Sequence, residues 1–221
     1  MTRDLQAGRR GAAAGEARQA VVFLHGYGAD GADLLGLADP LAPHLPGTAF
    51  WAPDAPEPCA AAPMGRQWFS IPWIDGSSEA ESLAGLERAA ADLDAFLTHV
   101  LEAEELTPDR LALVGFSQGT MMSLHVAPRR AKPVAAIAAF SGRLLVPERL
   151  GEAVSKPPVL LLHGDADDVV PHASMDEAAG HLARGGFETY TYTMQGTGHG
   201  IAPDGLGQAV GFLSGKLGLE A

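Results

Sequence analysis

Leu111-Ala112-Leu113-Val114-Gly115-Phe116-Ser117-Gln118-Gly119 joins four consecutive apolar residues to a glycine-flanked serine, and a helix-like stretch over Gln118–Ala127 follows at once. A run that is apolar at successive positions, rather than alternating, is the pattern of a parallel strand covered by helices on both faces. A serine at the turn between such a strand and a helix is the setting of a nucleophile elbow. The turn forces a strained backbone, and glycines two residues to either side avoid the clash that a Cβ would make with neighbouring strand and helix. The competing reading, a glycine-flanked serine that merely caps a helix, fits the five residues alone but takes no account of the strand before them.

Working outward, further apolar runs at Ala20–Leu24, Thr48–Ala52, Val134–Phe140, Pro158–Leu162 and Glu188–Met194 read as strands, and the strand before the serine extends over Arg110–Val114. Helical spacing is clearest in Ser82–Glu105, where Leu83, Leu86, Ala90, Leu93, Phe96, Leu97, Val100 and Leu101 define one face. Asp33–Ala42, Ser174–Arg184 and Gly205–Leu217 complete a βαβα rhythm. The expected architecture is one α/β domain over residues 1–221, with a mostly parallel central sheet, helices on both faces and a short N-terminal segment over residues 1–19. Pro53–Ser78 breaks the rhythm with five prolines and no period, yet it carries Trp68, Phe69, Ile71 and Trp73, so it reads as an ordered substrate-site loop rather than disorder.

Composition narrows the function classes. The 221 residues, 47% of them apolar, suffice for a core on both sides of one sheet. A net charge of −12 gives no footing for a nucleic-acid backbone or an anionic membrane surface. The one cysteine, Cys59, excludes an intrachain disulfide and a thiol-based metal centre. Neither a signal peptide's apolar run in the first twenty residues nor an eighteen-residue apolar span is found, so a soluble, cytoplasmic chain is expected.

A neutral serine hydroxyl needs a histidine base and an acid to orient it, in chain order Ser, Asp or Glu, His. Both follow at the C-terminal ends of expected strands, where open α/β sheets build their sites. The first is the acidic turn His163-Gly164-Asp165-Ala166-Asp167-Asp168-Val169-Val170-Pro171; the second is the glycine-rich loop Gly196-Thr197-Gly198-His199-Gly200. The residues alone leave the acid open among Asp165, Asp167 and Asp168. The aspartates could also cap the helix starting near His172, or bind a metal with His163, although one acidic cluster beside a single histidine is poor ligand spacing. For His199 the rival is a phosphate-cradling loop, but the glycine spacing is not that of a dinucleotide site. Acyl transfer also requires two backbone N–H donors for an oxyanion. Gln118, directly after the serine, supplies one; Tyr27, in Leu24-His25-Gly26-Tyr27-Gly28 after an early strand, supplies the other.

Together these four motifs, with His163-Gly164-x-x-Asp167-x-x-Val170-Pro171 as the acid turn, resemble the phospholipase/carboxylesterase family of α/β-hydrolases over nearly the whole chain. The resemblance implies Ser117, Asp167 and His199 as a triad, the Tyr27 and Gln118 amides as the oxyanion hole, and no cofactor or metal. It also implies that Gln67-Trp68-Phe69 lies near the acyl site, which makes Trp68, Phe69, Ile71 and Trp73 the expected substrate-binding residues, with Met64 a lesser candidate. Ser70 stands where a eukaryotic thioesterase of the family carries an aspartate, so the bacterial esterase branch is nearer. The expected activity is hydrolysis of small to medium carboxylic esters. The alternatives are an acyl-thioesterase or lysophospholipase, or a non-catalytic protein of the same fold that binds a hydrophobic ligand. The expected partner is a small-molecule ester, and the resemblance leaves a homodimer as an open option.

Overall fold

The computed structural model describes residues 2–219. Seven strands form one sheet in the order β1-β3-β2-β6-β7-β8-β9. They are β1 (Ala7–Gly11), β2 (Gln19–Leu24), β3 (Thr48–Pro53), β6 (Leu111–Phe116), β7 (Ala136–Phe140), β8 (Val159–Gly164) and β9 (Thr189–Met194). Every neighbouring pair is parallel except β1 with β3. This is the α/β-hydrolase arrangement, a mostly parallel sheet between helices.

The unbroken apolar runs have the consequence read from them. Alternate residues of one strand enter two separate cores: Val22 and Leu113 pack with Leu93, Leu97 and Met122 on one face, Val21 and Val114 with Leu41, Ala209 and Leu213 on the other. The helices are α1 (Gly31–Leu35), α2 (Ala38–Leu41), α3 (Pro72–Asp75), α4 (Glu79–Ala103), α5 (Gln118–Val126), α6 (Ala173–Arg184) and α7 (Pro203–Lys216). The start of α4 is fixed by a capping box in which the Ser78 hydroxyl accepts from Glu81 N–H and the Glu81 carboxylate accepts from Ser78 N–H.

One expected helix needs correction, and two segments expected without regular elements contain short ones. The helix expected over Asp33–Ala42 is two short ones, because the chain tightens at Gly36 and Leu37 N–H bonds Leu34 O at 2.9 Å. The N-terminal segment contributes β1, whose polar sequence AGRRG carries no strand period of its own and is ordered by pairing with β3. It is fastened from outside: Arg9 bonds the buried Glu104 carboxylate at 2.7 and 2.9 Å, Glu104 also accepts from Trp51 Nε1, and Arg3 bonds Asp92. The loop over Pro53–Ser78 contains a two-residue hairpin, β4 (Glu57–Pro58) with β5 (Arg66–Gln67), and α3.

Candidate active site

The turn after β6 holds Ser117 at φ 52°, ψ −113°, a conformation that costs a non-glycine residue roughly 1–3 kcal/mol. It is held there by Ser117 N–H bonding Phe140 O at 2.9 Å, and by the glycines that allow the approach. A Cβ at Gly119 would lie 1.8 Å from Leu24 O of β2, and one at Gly115 would lie 2.6 Å from the backbone of Thr120 in α5. The glycine spacing thus answers to strand and helix, one clash for each.

The acid turn follows β8 and the histidine loop follows β9, side by side at the same sheet edge. His199 Nδ1 stands 2.8 Å from Asp167 Oδ2, and Asp167 Oδ1 accepts from the amides of Val169 and Val170 at 2.9 Å each. The Asp167 side chain is wholly buried. Burial alone would push its carboxyl up, but the bonds from His199, Val170 and Val169 outweigh it and hold the group below the usual carboxylate range. Because the carboxylate only accepts, His199 Nδ1 carries the proton and Nε2 is left as a lone-pair acceptor. The two loops are laced together: Asp165 Oδ1 accepts from Gly196 N–H at 2.7 Å, Ala166 N–H bonds Thr197 O, and a Cβ at Gly164 would meet Thr197 O at 2.1 Å. Asp165 therefore steers the histidine loop, Asp167 faces His199, and no hydrogen bond to the Asp168 side chain occurs among the described residues. None of the three caps α6, whose first turn has no side-chain cap. No metal-binding cluster occurs among the described residues.

His199 meets the elbow through Phe116, ring centroids 5.0 Å apart. No hydrogen bond joins Ser117 Oγ to His199 among the described residues, and Ser117 itself is 8% exposed. Across from them, Gly26 packs against Ser117, a Cβ there lying 3.3 Å from the Ser117 Cβ. His25 beneath this turn is fully buried and accepts from Ala55 N–H through Nε2, so Nδ1 donates to Gly26 O at 2.7 Å. Burial pushes its imidazole down, in keeping with that neutral form. Neither Tyr27 N–H nor Gln118 N–H bonds a backbone or side-chain acceptor among the described residues.

The substrate-site loop is tied to these same residues. The Gln118 side chain, fully buried, accepts from Trp68 N–H and donates to Phe69 O, both at 2.8 Å. Trp68 Nε1 bonds His25 O at 3.0 Å, and Tyr27 Oη reaches Asp75, which in turn accepts from Ile71 N–H. Burial, then Cys59 and Asp75, push the Tyr27 phenol well up, so it stays a donor. Phe69, Ile71 and Trp73, with Leu86, Leu145 and Val146, line an apolar cleft of about 280 Å³. Trp68 corrects the expectation made for it: its ring is fully buried in the core and absent from the cleft wall, because its indole N–H is committed to His25. Met64 lines a different depression, beside Asp30 and Asp33. Sequence reasoning named Gln118 only for its backbone N–H and missed the clamp made by its side-chain carboxamide; it placed His163 in the acid turn but missed its bond to Val170 O.

The model of the phospholipase/carboxylesterase family matches residues 11–217. The chain belongs to this family. Acyl-protein thioesterase 1 of Neurospora crassa is 29% identical over 222 residues, covering 89% of this chain and 86% of its own length. Acyl-protein thioesterase 1 homolog 1 of Dictyostelium discoideum is 26% identical over 204 residues, covering 89% and 90%. Among solved structures, esterase PE8 is 43% identical with a TM-score of 0.91, over 97% of this chain and 100% of its own. The phospholipase/carboxylesterase of Dyadobacter fermentans, 24% identical with a TM-score of 0.77 over 96% and 98%, shares the fold. The chain is thus a hydrolase in a family of esterases and acyl-protein thioesterases. No helix among the described residues is long and apolar enough to cross a membrane.

Proposed function

We propose that this protein is a carboxylesterase acting on small to medium esters through Ser117, His199 and Asp167. The observation that carries the reading is the 2.8 Å contact between His199 Nδ1 and Asp167, which leaves Nε2 unprotonated on a ring packed against the elbow. His199 Nε2 takes the Ser117 proton as Oγ attacks the ester carbonyl, and returns it to the departing alcohol. Apo enzymes often carry this serine–histidine contact long, and it tightens with substrate. The acyl-enzyme is then attacked by water deprotonated by the same nitrogen, releasing the acid. The Tyr27 and Gln118 amides stabilise both oxyanions; each such donor is worth on the order of 10²–10³ in turnover. Asp167 keeps the imidazole in the working tautomer. No metal or cofactor enters these steps.

The cleft lined by Phe69, Ile71 and Trp73 is the acyl site in this reading. Its lining does not include Ser117 or His199; Phe69, whose carbonyl is held by the Gln118 side chain next to the nucleophile, is what links the cleft to the elbow. The ester preference rests on the likeness to esterase PE8. A second reading, acyl-thioester hydrolysis, is favoured by the names of the Neurospora and Dictyostelium relatives. A fluorophosphonate probe tests the nucleophile: it should label the protein and not Ser117→Ala, and labelling of the variant removes Ser117 from the mechanism. Rates on p-nitrophenyl acetate, butyrate and palmitate beside an acyl-thioester test the substrate class. Turnover of the thioester alone would replace the ester reading by the second one.

A further inference from the structure

The triad as proposed uses three donors to Asp167: His199 and two backbone amides. A further polar group lies behind it. His163, the penultimate residue of β8, is 1% exposed, and its Nε2 stands 2.9 Å from Val170 O and 3.2 Å from Asp167 Oδ2. A carbonyl oxygen only accepts, so Nε2 carries the proton and donates it to the carbonyl that closes the acid turn, while the same polar N–H lies 3.2 Å from the carboxylate oxygen that receives His199. We infer that His163 is a positioning residue of the triad: its neutral Nε2–H fixes the acid turn through Val170 O and sets a polar N–H dipole beside Asp167 Oδ2, which lessens the pull of that oxygen on the His199 proton. This inference rests on the triad reading above.

The surroundings suit a permanently neutral ring. Its side chain is 2% exposed and that of Asp167 is 0% exposed. The titratable groups facing it are Asp167 on its own turn, His172 at the head of α6, edge-on at 5.8 Å, and His199 from the loop after β9. Burial pushes the His163 imidazole down, the Val170 and Asp167 contacts oppose this only in part, and the two histidines add to it. A second imidazolium here would face His199 at the moment it takes the serine proton; a neutral donor does not. A plain core histidine needs no contact with Asp167, whereas this ring nitrogen lies 3.2 Å from its Oδ2.

Removing the ring takes its N–H dipole away from Oδ2, and His199 then holds its proton more tightly. In His163→Leu the acidic limb of kcat/KM should therefore move to higher pH by roughly half to one unit. Maximal kcat should fall with KM little changed. His163→Gln, whose amide can donate from nearly the same point, should bring the limb back toward the wild-type position. A role in packing alone predicts lower stability with an unmoved limb in both variants, and that result overturns the inference. Should the Leu variant not fold, nitrogen NMR of the unaltered protein decides: His163 should remain the neutral Nε2–H tautomer from about pH 5 to about pH 8, and an Nδ1–H form or an imidazolium refutes it. Asp167→Asn separates the two levels. If that variant is inactive while His163→Leu keeps the wild-type profile, only the His163 inference fails; if Asp167→Asn is fully active, the triad reading fails first.

Discussion

Asp167→Asn strains the arrangement where its geometry demands most. All three hydrogen bonds to the carboxylate come from donors, the Val169 and Val170 amides on Oδ1 and His199 Nδ1 on Oδ2. Asparagine offers one oxygen and one NH₂ in place of the two oxygens. If its oxygen stays with the two amides, the NH₂ faces His199, which must present a lone pair at Nδ1 and move its proton to Nε2, where the base is lost. If it turns round, two buried amides face an NH₂ instead. The first arrangement should lower kcat by about 10⁴, the size of tautomer loss in serine triads, or about 5.5 kcal/mol of transition-state stabilisation. Asp168→Asn, one residue on and outside this set of contacts, should retain most activity. The assay is steady-state hydrolysis of p-nitrophenyl butyrate at neutral pH, with circular dichroism to verify the fold. An Asp167→Asn rate within about tenfold of wild type, or an Asp168→Asn loss of about a hundredfold, refutes the reasoning. The same substitution bears on stability. A carboxyl held low in the folded state stabilises it above the ordinary carboxylate range, and that contribution disappears as pH falls through the lowered value, so the Asn variant should lose this part of the acid dependence.

Gln118→Ala keeps the backbone N–H but orphans Trp68 N–H and Phe69 O in the core, so urea unfolding should register a loss of about 2–4 kcal/mol, and an unchanged midpoint would deny the side chain its clamping role. The two tryptophans should part company. Trp68→Ala, at a fully buried site, should cost about 3–5 kcal/mol of stability. Trp73→Ala, at a 64% exposed position on the cleft, should leave the melting temperature near wild type and alter the ratio of butyrate to palmitate hydrolysis; an unaltered ratio removes Trp73 from the acyl site. His125 is pushed down to about 4, first by burial and then by Arg129, while its unfolded form titrates near the ordinary 6.5. Between those values the unfolded chain binds more protons, so stability should rise with pH across that window by on the order of 3 kcal/mol. Urea unfolding at about pH 5 and about pH 7 should lose this slope in His125→Leu, and an equal slope in both proteins would assign it elsewhere.

What could be read in advance was local or repetitive. The strand Leu111–Phe116 announces itself by four apolar residues in succession, and the elbow glycines by the clashes they avert; both are properties of a few neighbouring residues. The order Ser117, Asp167, His199 along the chain maps onto strand ends because parallel strands all deliver their C-terminal ends to one edge. By contrast β1 is a strand only because β3 lies beside it, and its arginines gave no periodic signal. Trp68 was misread because an aromatic residue in a loop has the same signature whether it faces a ligand or the core. Only the partner of its indole N–H, a carbonyl forty-three residues earlier, distinguishes the two. The choice among Asp165, Asp167 and Asp168 was equally closed to composition: it depends on which carboxylate the Val169 and Val170 amides turn back to meet.

The N-terminal strand has a consequence for how the molecule meets its own kind. An open sheet ends in strands whose unsatisfied amides template other chains, and the apolar ribbon Thr48–Pro53 would be a sticky margin of that sort. β1 covers it and substitutes a ribbon bearing Arg9 and Arg10, the latter paired with Asp39 in solvent. The opposite margin, Thr189–Met194, presents threonine and tyrosine hydroxyls, with Lys216 over the Tyr190 ring. Charge guards one selvedge and hydroxyls the other, so the sheet that aligns the reactive turns offers little purchase for the edge-to-edge growth that leads to fibrils.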